Sequence, residues 1–381
     1  MAQVIRKTVR DQIAAILRGE ILKRSAGERL ASIRELAERF SVSSLTVAQS
    51  MAMLVQEGLI EQRHGSGTYV RDRSKRQHVG VLAEVDISDP RTSYFYRRTP
   101  QRVVRFLLAH GVPARLYAGH LPAGEDSPRP LTCVEFLEAL GRHQLNGVAA
   151  FAPGHTFSQW CEAWREQHIP VIGPSDKCAY RVEPDSGALG RMGGEYLLRQ
   201  GRRRIALMRY AQPREKEAAI FLESFYSAFS AAGVQANPQW IRHSLTPCAP
   251  GAGWEELRAI WVSSREKPDG LFIGDDNLFP GAAMAICQLG IRVPEDLSVV
   301  THWNKGSPMA VPFPVARLRF DPDHYVRVLG EMLIKLVRRE PVANPHVAIL
   351  CELLQPENSL REVAKSVKDE LENPGAMVAA E

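Results

Sequence analysis

Short apolar segments alternate with longer amphipathic ones through most of this chain of 381 residues. The segments that predict strands are 78–85, 114–118, 147–152, 169–173, 204–210, 270–274 and 297–302. Helical stretches of about 10 to 20 residues lie between them, for example 185–200, 214–232, 254–266 and 277–290. This spacing is typical of βαβ units, in which helices cover both faces of a parallel sheet. Because the pattern extends over about 300 residues, we expect two such lobes rather than one.

Composition narrows the class of protein further. No apolar run approaches the roughly 20 residues that a bilayer span requires, so we expect no membrane partner. The first residues pass directly into charged helical sequence without the apolar stretch of a signal peptide, which predicts a cytoplasmic location. The six cysteines lie far apart, with no CxxC pair and no histidine at metal spacing. This pattern predicts reduced core thiols, no metal site and no cofactor.

Positive charge is concentrated at the start of the chain. Residues 1–77 contain 14 Lys and Arg against 8 Asp and Glu, whereas the remaining residues contain 34 against 35. A small basic module joined to a large neutral one is typical of a head that binds a polyanion. A solvated helical face with surplus arginine is the alternative, and charge alone does not decide between them. The polar segment 71–77 is the predicted linker.

The basic head has the pattern of three helices and a hairpin. Apolar residues recur at helical spacing within 4–22, and a second helix is predicted to begin at Ser32, with Glu35 at the capping-box position. A third helix follows Ser43 and turns Val47, Met51, Leu54 and Val55 inward. Residues 59–70 predict two short strands around a Gly-rich tip. The pattern therefore predicts a helix-turn-helix followed by a β-wing.

Residues 4–70 resemble the winged helix-turn-helix of the GntR family of bacterial transcription regulators. The matching segments, in order along the chain, are 27–30, 32–37, 42–43, 46–47, 57–60 and 65–70. The family resemblance and the outward face of the third helix together predict a DNA-contacting set, which is Arg34, Ser43, Ser44, Leu45, Thr46, Gln49, Arg63, His64 and Gly65. Gln49 suits adenine, and Leu45 or the Thr46 methyl group suits the thymine methyl. Arginines that the family often has at Ser44 and Ala48 are absent, so we expect less dependence on G·C at those positions.

The rest of the chain resembles the LacI/GalR-type sensor, which shares the bilobal fold of periplasmic sugar-binding proteins. The segments that carry this resemblance are 169–173, 182–185, 190–201, 203–207, 268–276 and 289–300. The whole combination is similar to regulators of the arabinose-repressor type. It implies an α/β fold with an N-terminal winged helix-turn-helix joined to a bilobal periplasmic-binding-protein-like domain of two parallel-sheet, Rossmann-like lobes. The expected division is 1–70 for the head, 71–77 for the linker, 78–355 for the sensor and 356–381 for a tail.

Loops at the carboxyl ends of the strands are where such a sensor binds its ligand. Candidate effector contacts in those loops are Tyr94, Phe95, His155, Asp176, Arg209, Asp276, Trp303 and Asn304. Carboxylates, an amide and aromatic faces suit a polyhydroxylated ligand. Asp276 is the leading candidate, because the resemblance places an effector-contacting Asp there. The family's arginine in the helix after strand 204–210 is replaced by an apolar stretch, and Trp303 stands where an Asp often follows the last strand. These departures count against a plain sugar as the effector, and they leave open whether the protein binds an effector at all.

The sequence suggests three candidate functions for this protein. The first is a transcription repressor, expected to be a homodimer, that binds a double-stranded DNA operator and responds to a small-molecule effector held between its lobes, with carbohydrate as one class. The second is a GntR-headed, pyridoxal-phosphate-dependent aminotransferase-like protein, but no lysine in a Ser-rich phosphate-binding region is evident. The third is a solute-binding protein without a regulatory role, which leaves the basic head unexplained. The sequence favours the regulator and predicts no enzymatic activity.

Overall fold

The computed structural model describes residues 8–21, 24–71, 77–88, 92–119, 133–151, 167–174, 178–210, 216–245, 251–309 and 311–356. The predicted tail beyond residue 356 lies outside these ranges. The chain divides into two compact units. The first consists of Met1–Asp86, Pro100–Arg181 and Val326–His346, and the second of Ile87–Thr99, Val182–Tyr325 and Val347–Glu381.

The head, within the first unit, contains three helices and a two-stranded antiparallel sheet. They are α1 (Val9–Ile21), α2 (Ile33–Phe40), α3 (Ser44–Gln56), β1 (Ile60–Arg63) and β2 (Gly67–Val70). One cluster of apolar side chains joins all five elements: Ile13, Leu17, Ile21, Leu30, Leu36, Ala37, Val47, Met51, Leu54, Leu59, Ile60 and Val70 are buried in it. The predicted helix-turn-helix with a wing is confirmed, although two apolar side chains of α1, Val9 and Ile16, are about half exposed.

The remaining elements alternate as βα units. In chain order they are β3 (His78–Ala83), α4 (Tyr94–Ala109), β4 (Ala114–Ala118), α5 (Val134–Gly141), β5 (Leu145–Phe151), β6 (Val171–Gly173), β7 (Tyr180–Pro184), α6 (Ser186–Arg199), β8 (Ile205–Tyr210), α7 (Lys216–Ala231), β9 (Ile241–Leu245), α8 (Trp254–Ser263), β10 (Gly270–Ile273), α9 (Phe279–Gln288), β11 (Ser298–Asn304), β12 (Ala316–Phe320), α10 (Pro322–Val337), β13 (His346–Ile349) and β14 (Glu352–Leu354).

The strands form two six-stranded sheets, where the alternation of seven predicted strands with helices predicts two lobes. The first has the order β13–β7–β6–β5–β3–β4, and the second has the order β14–β12–β11–β10–β8–β9. Neighbouring strands from β3 to β7 and from β8 to β12 run parallel, while β14 joins β12 antiparallel. Because the central strands of these mainly parallel sheets are covered by helices, most of their side chains are buried, as in β3, where every residue is buried. The predicted fold class is confirmed.

Close packing of α6 on the second sheet depends on glycine. A Cβ at Gly193 would overlap the ring of Phe272 on β10, and a Cβ at Gly190 would overlap the carbonyl oxygen of Phe221 on α7. Glycine at these two positions therefore lets the helix approach both neighbours, and it fixes where the strand ends of the second sheet emerge.

Two further observations concern the expectations from composition. Cys133, Cys178 and Cys351 are buried thiols as expected, whereas Cys287 on α9 is exposed. Cys161 and Cys248 lie outside the described residues. Over the described ranges, no helix is long and apolar enough to cross a membrane, and no group of His, Cys, Asp and Glu is arranged to hold a metal ion.

Candidate nucleic-acid interface and buried polar site

The starts of α2 and α3 are each capped by a serine hydroxyl. Ser32 accepts a hydrogen bond from the Glu35 backbone N–H at 3.2 Å, and the Glu35 carboxylate accepts one from the Ser32 backbone N–H at 2.7 Å. This capping box lowers the pKa of Glu35 through the Ser32 hydrogen bonds. At the start of α3, the Ser43 hydroxyl oxygen accepts from the Thr46 backbone N–H at 3.1 Å. Both helices are thus capped at their first turns, which fixes the angle at which α3 leaves the turn.

The first two turns of α3 present an uncharged face to solvent. Ser44 and Gln49 are exposed, and Leu45 keeps 68% of its surface exposed. Thr46 is half-buried, and its hydroxyl lies 2.8 Å from that of Ser43. Since α3 carries no Lys or Arg, any contact between a cationic side chain and a phosphate near it has to come from neighbouring elements. Polar amide, hydroxyl and methyl groups on such a face are suited to base edges in a major groove.

The wing supplies positive charge at a glycine-rich tip. Gly65 and Gly67 have φ of 70° and 117°, so the reversal between β1 and β2 uses the left-handed backbone that favours glycine. Arg63 lies over the ring of Tyr69, with its guanidinium carbon 4.6 Å from the centroid, and pairs with Glu61 at 2.7 Å. The exposed His64 begins the turn. The predicted wing residues therefore lie together at one exposed end of the hairpin.

A cation that the sequence reasoning did not single out lies beside this tip. Arg29 pairs with Tyr69 as an isolated antiparallel bridge, and a Cβ at Gly67 would lie 3.0 Å from its Nε. The wing is thus edged by the segment before α2, and Arg29 adds charge next to Arg63. The signal was present in the family segment 27–30, where Arg29 occurs. Arg34, on α2, is 88% exposed and makes only a 3.4 Å contact with Glu38.

The second site lies at the carboxyl ends of three adjacent strands. In the register of the second sheet, Ile273 of β10 is opposite Met208 of β8 and Thr301 of β11. One residue further along the three strands are Arg209, Gly274 and His302. Parallel strands end at the same edge, so these residues and Asp275 share one edge of the sheet.

Arg209 crosses this edge between a glycine and an aromatic ring. A Cβ at Gly274 would lie 3.1 Å from its Cγ, and its guanidinium carbon lies 4.0 Å from the centroid of the Phe221 ring on α7. The cation is therefore held against an aromatic face in a half-buried position. Arg209 is thus a positive group on the strand itself, whereas the arginine that the family resemblance implies would lie in the helix that follows.

Asp276 and Asn304 form a buried pair. The Asp276 carboxylate accepts hydrogen bonds from the Asn304 side-chain N–H at 2.8 Å and from its backbone N–H at 3.4 Å. The two residues are 8% and 3% exposed. Two candidates from separate strands are thereby joined. Asp275, one residue earlier, accepts a hydrogen bond from the Asn277 backbone N–H at 2.9 Å.

Burial shifts the titration of this cluster. Burial and the neighbouring Asp276 carboxylate together raise the pKa of Asp275 to about 6, against the opposing effects of the Asn277 N–H, His302 and Arg209. Burial also raises the pKa of Asp276, while its hydrogen bonds from Asn304 act in the opposite direction. Burial lowers the pKa of His302 to about 4. At neutral pH the imidazole is therefore uncharged, and the cluster offers carboxylates, a neutral imidazole and a guanidinium to a polar ligand.

Aromatic candidates lie around the same edge in different roles. Trp303 is on the opposite face of β11 from His302. The guanidinium carbon of Arg317 lies 4.4 Å from the centroid of the Trp303 ring, and the indole N–H donates a hydrogen bond to the Ser307 carbonyl oxygen at 3.2 Å. The Tyr94 hydroxyl lies against Gly306, where a Cβ would be 2.8 Å away. Phe95 is buried at 9% exposure, edge-on to Phe320 and Tyr325. Phe95 therefore supports the position of Tyr94 from within the core.

The structure thus brings Tyr94, Arg209, Asp276, Trp303 and Asn304 to the strand ends of the second sheet. His155 and Asp176 lie outside the described residues. His302 was not predicted, because the sequence pattern treats it as the last residue of a buried strand. The available signal was that His302 directly precedes the candidates Trp303 and Asn304.

Two family descriptions match the chain. Residues 9–70 match the bacterial regulatory proteins of the gntR family, and residues 195–356 match the periplasmic binding protein-like domain. The second match covers the second sheet with its polar edge. The match also leaves the aminotransferase-like alternative without support, because it identifies the body as a binding-protein fold.

Similar whole proteins are regulators. The arabinose metabolism transcriptional repressor of Halalkalibacterium halodurans is 25% identical over 311 residues, which cover 77% of this chain and 79% of that protein. The transcriptional repressor PurR of Pasteurella multocida is 25% identical over 172 residues, 44% of this chain and half of that protein. Among solved structures, the complex of the transcriptional regulator CelR with cellobiose superposes with a TM-score of 0.59 at 19% identity, covering 82% of this chain and 90% of that one. The likeness to that structure concerns the fold.

Proposed function

We propose that this transcription regulator, in which a gntR-family helix-turn-helix is joined to a periplasmic binding protein-like domain, represses transcription as a homodimer on a pseudo-palindromic operator. The observation that carries the proposal is the exposed, uncharged start of α3 beside an arginine-edged wing, on a head with a surplus of basic residues. Base-reading groups and phosphate-binding groups are then separated on neighbouring elements, as recognition of duplex DNA requires.

In this proposal each part of the interface has one role. Ser43, Ser44, Leu45, Thr46 and Gln49 face the bases, and the free N–H groups at the start of α3 lie at a phosphate. The arginines at positions 29, 34 and 63, together with His64 and the Gly65 backbone, hold the sugar-phosphate backbone. The head comprises residues 1–70, the linker 71–77 and the sensor 78–355, with no catalytic residue or cofactor in the proposal.

The effector is placed at the polar edge of the second sheet. Asp276 and Asp275 accept hydrogen bonds from ligand hydroxyl or amino groups, and Arg209 and Asn304 donate them. The relatives' names mention arabinose and cellobiose, so polyhydroxylated ligands are the first class to test. Binding there changes operator affinity by a coupling of about 1–3 kcal/mol, the range typical of allosteric regulators.

Selection of random duplexes by the full-length chain tests DNA recognition. We expect enrichment of an inverted repeat whose half-sites lie about one or two helical turns apart, and a gel shift of that duplex but not of its scrambled version. Failure to enrich any duplex would contradict the proposal.

Thermal-shift measurements test the effector site. Pentoses, disaccharides, sugar acids and aromatic metabolites are titrated against the full chain, and a true ligand raises the melting temperature with concentration by mass action. Replacing Asp276 with Asn should abolish the shift, whereas Glu266→Gln, an exposed residue on the same unit, should leave it unchanged. A shift that persists in Asp276→Asn places the ligand elsewhere.

A further inference from the structure

The C-terminal end of the recognition helix α3 is held by a carboxylate with partners on two sides. Glu57, the residue that caps α3, accepts a hydrogen bond from the Arg18 Nε at 2.8 Å, and Arg18 belongs to α1 of the same head. Its second partner is His143, whose Nε2 lies 3.7 Å from Glu57 Oε2. Burial opposes ionisation of Glu57, but its interactions with His143 and Arg18 outweigh this effect and lower its pKa to about 2.

His143 does not belong to the head. It lies in the loop between α5 and β5, two residues before the start of β5. Its side chain is 5% exposed, and Gln77, the last residue of the predicted linker, donates its side-chain N–H to the His143 carbonyl oxygen at 3.4 Å. The head, the linker and the first sheet therefore meet at this residue within the first compact unit.

Two features of His143 are unfavourable by themselves. Its φ is 53°, a left-handed backbone conformation that is uncommon for a residue with a side chain. Its Nδ1 is buried without a hydrogen-bond partner among the residues that the structure describes. Both features have an energetic cost, and they persist only where surrounding contacts determine the position of the residue. The contact with Glu57 is the one that the imidazole makes toward the head.

We propose that His143 is a positioning residue for DNA binding, which holds the end of α3 through Glu57 and connects it to β5 of the first sheet. The expected effect of this contact on operator affinity rests on the proposed function, because it requires that the head binds DNA. A head whose recognition helix is held in place loses less conformational freedom when it binds DNA, so the contact favours binding. Displacement of the loop between α5 and β5 breaks the contact and releases the helix.

The test replaces His143 with Gly in the full-length protein. Glycine adopts positive φ without strain, so the loop is kept while the imidazole is removed. We expect affinity for a duplex selected by the wild-type chain, measured by fluorescence anisotropy, to fall about three- to tenfold. Amide hydrogen exchange of the free protein should become faster in peptides covering residues 54–60. Arg142→Ala, at the exposed neighbouring position, is the matched control and should change neither measurement.

A second comparison separates the contact from a general effect on the loop. In a Glu57→Gln background, His143→Gly should have little further effect, because its partner has already been altered. If His143→Gly does not fold, His143→Asn tolerates the same backbone and is measured instead. Three results would each overturn the proposal. His143→Gly could bind the duplex with wild-type affinity and show unchanged hydrogen exchange, it could bind the duplex more tightly, or its full effect could persist in the Glu57→Gln background. If the wild-type chain selects no duplex, the proposed function fails, and hydrogen exchange still decides whether His143 holds α3.

Discussion

Asp275 and Asp276 are adjacent carboxylates, the first partly buried and the second buried, and such a pair has an energetic cost. Asp276 offsets part of this cost through its two hydrogen bonds from Asn304, whereas Asp275 accepts one from a backbone N–H. Residues kept in an unfavourable state are concentrated at functional sites, where ligand binding satisfies them. The cost of this cluster is therefore consistent with the ligand site proposed for this sheet edge.

Asp275→Asn should stabilise the protein at neutral pH. Burial raises the pKa of Asp275 from 3.8 to about 6, so the folded state binds its proton more tightly than the unfolded state. The unfavourable contribution of Asp275 to the free energy of unfolding is absent at pH values below its pKa in the unfolded state. It develops as pH rises through the pKa of the folded state and is complete above that value. We expect Asn to add about 1–2 kcal/mol at pH 7.5 and almost nothing at pH 4, as measured by urea unfolding at both values. An equal effect at both pH values would contradict the assignment.

Arg34 should contribute to DNA affinity through charge. Arg34→Ala removes one phosphate contact in each head, so affinity for the selected duplex should fall about tenfold and the salt dependence should become shallower. Arg191→Ala is the matched control, because Arg191 is also an exposed helical arginine with an i,i+4 carboxylate partner, on α6 of the second unit. Equal losses in the two variants, by fluorescence anisotropy, would remove Arg34 from the interface.

Leu45 should read a methyl group. Its 68% exposure on a recognition helix without cations is explained if it packs on the thymine 5-methyl. Replacing thymine by uracil at the contacted position should weaken wild-type binding roughly three- to fivefold, consistent with one buried methyl group. Leu45→Ala should be insensitive to the same replacement. Uracil sensitivity that is unchanged in Leu45→Ala would contradict this contact.

At the scale of helices and strands, periodicity was enough to predict most of the core. The capping box at Ser32 and the inward face of α3 follow from local rules, and the structure has both. Strands β7, β9, β12, β13 and β14 were not predicted. In β12, Arg317 and Arg319 interrupt the apolar pattern, and Arg317 is buried under Trp303, a tertiary contact without a local signal. His302 was not predicted as a site residue for a related reason. Strand β11 continues to Asn304, and its last positions carry polar residues.

Glycine packing of α6 provides a test at this scale. Gly193→Ala should destabilise the second unit by about 1–3 kcal/mol, because the new Cβ overlaps the Phe272 ring and the helix has to shift. Gly19→Ala in α1 is the control: no atom lies within 4 Å of the added carbon, and alanine favours helix. It should be neutral or stabilising by up to about 1 kcal/mol. Chemical unfolding of both variants checks the pair, and a neutral Gly193→Ala would contradict the packing.

For the whole molecule, a regulator requires that two sites influence one another. Coupling is reciprocal, so an effector that weakens operator binding by a given factor has its own affinity weakened by that factor when the operator is bound. The polar edge of the second sheet and the exposed start of α3 are the two proposed sites, and the contact of His143 with Glu57 is the proposed connection at the head. The sequence predicted the two sites through family segments and strand ends. It contained no signal for the connection, which arises from residues 86 positions apart that meet only in the folded chain.

The most direct test of the central claim is the salt dependence of duplex binding by the full-length protein. Anisotropy titrations of the selected duplex and of its scrambled version are carried out between about 50 and 200 mM KCl, the range over which phosphate contacts are strongly screened. We predict that the logarithm of affinity falls linearly with the logarithm of salt concentration, with a slope of about −5 to −8 for a dimer, and that the selected duplex binds at least about a thousandfold more tightly throughout. Affinity that is independent of salt, or equal for both duplexes, would contradict the account.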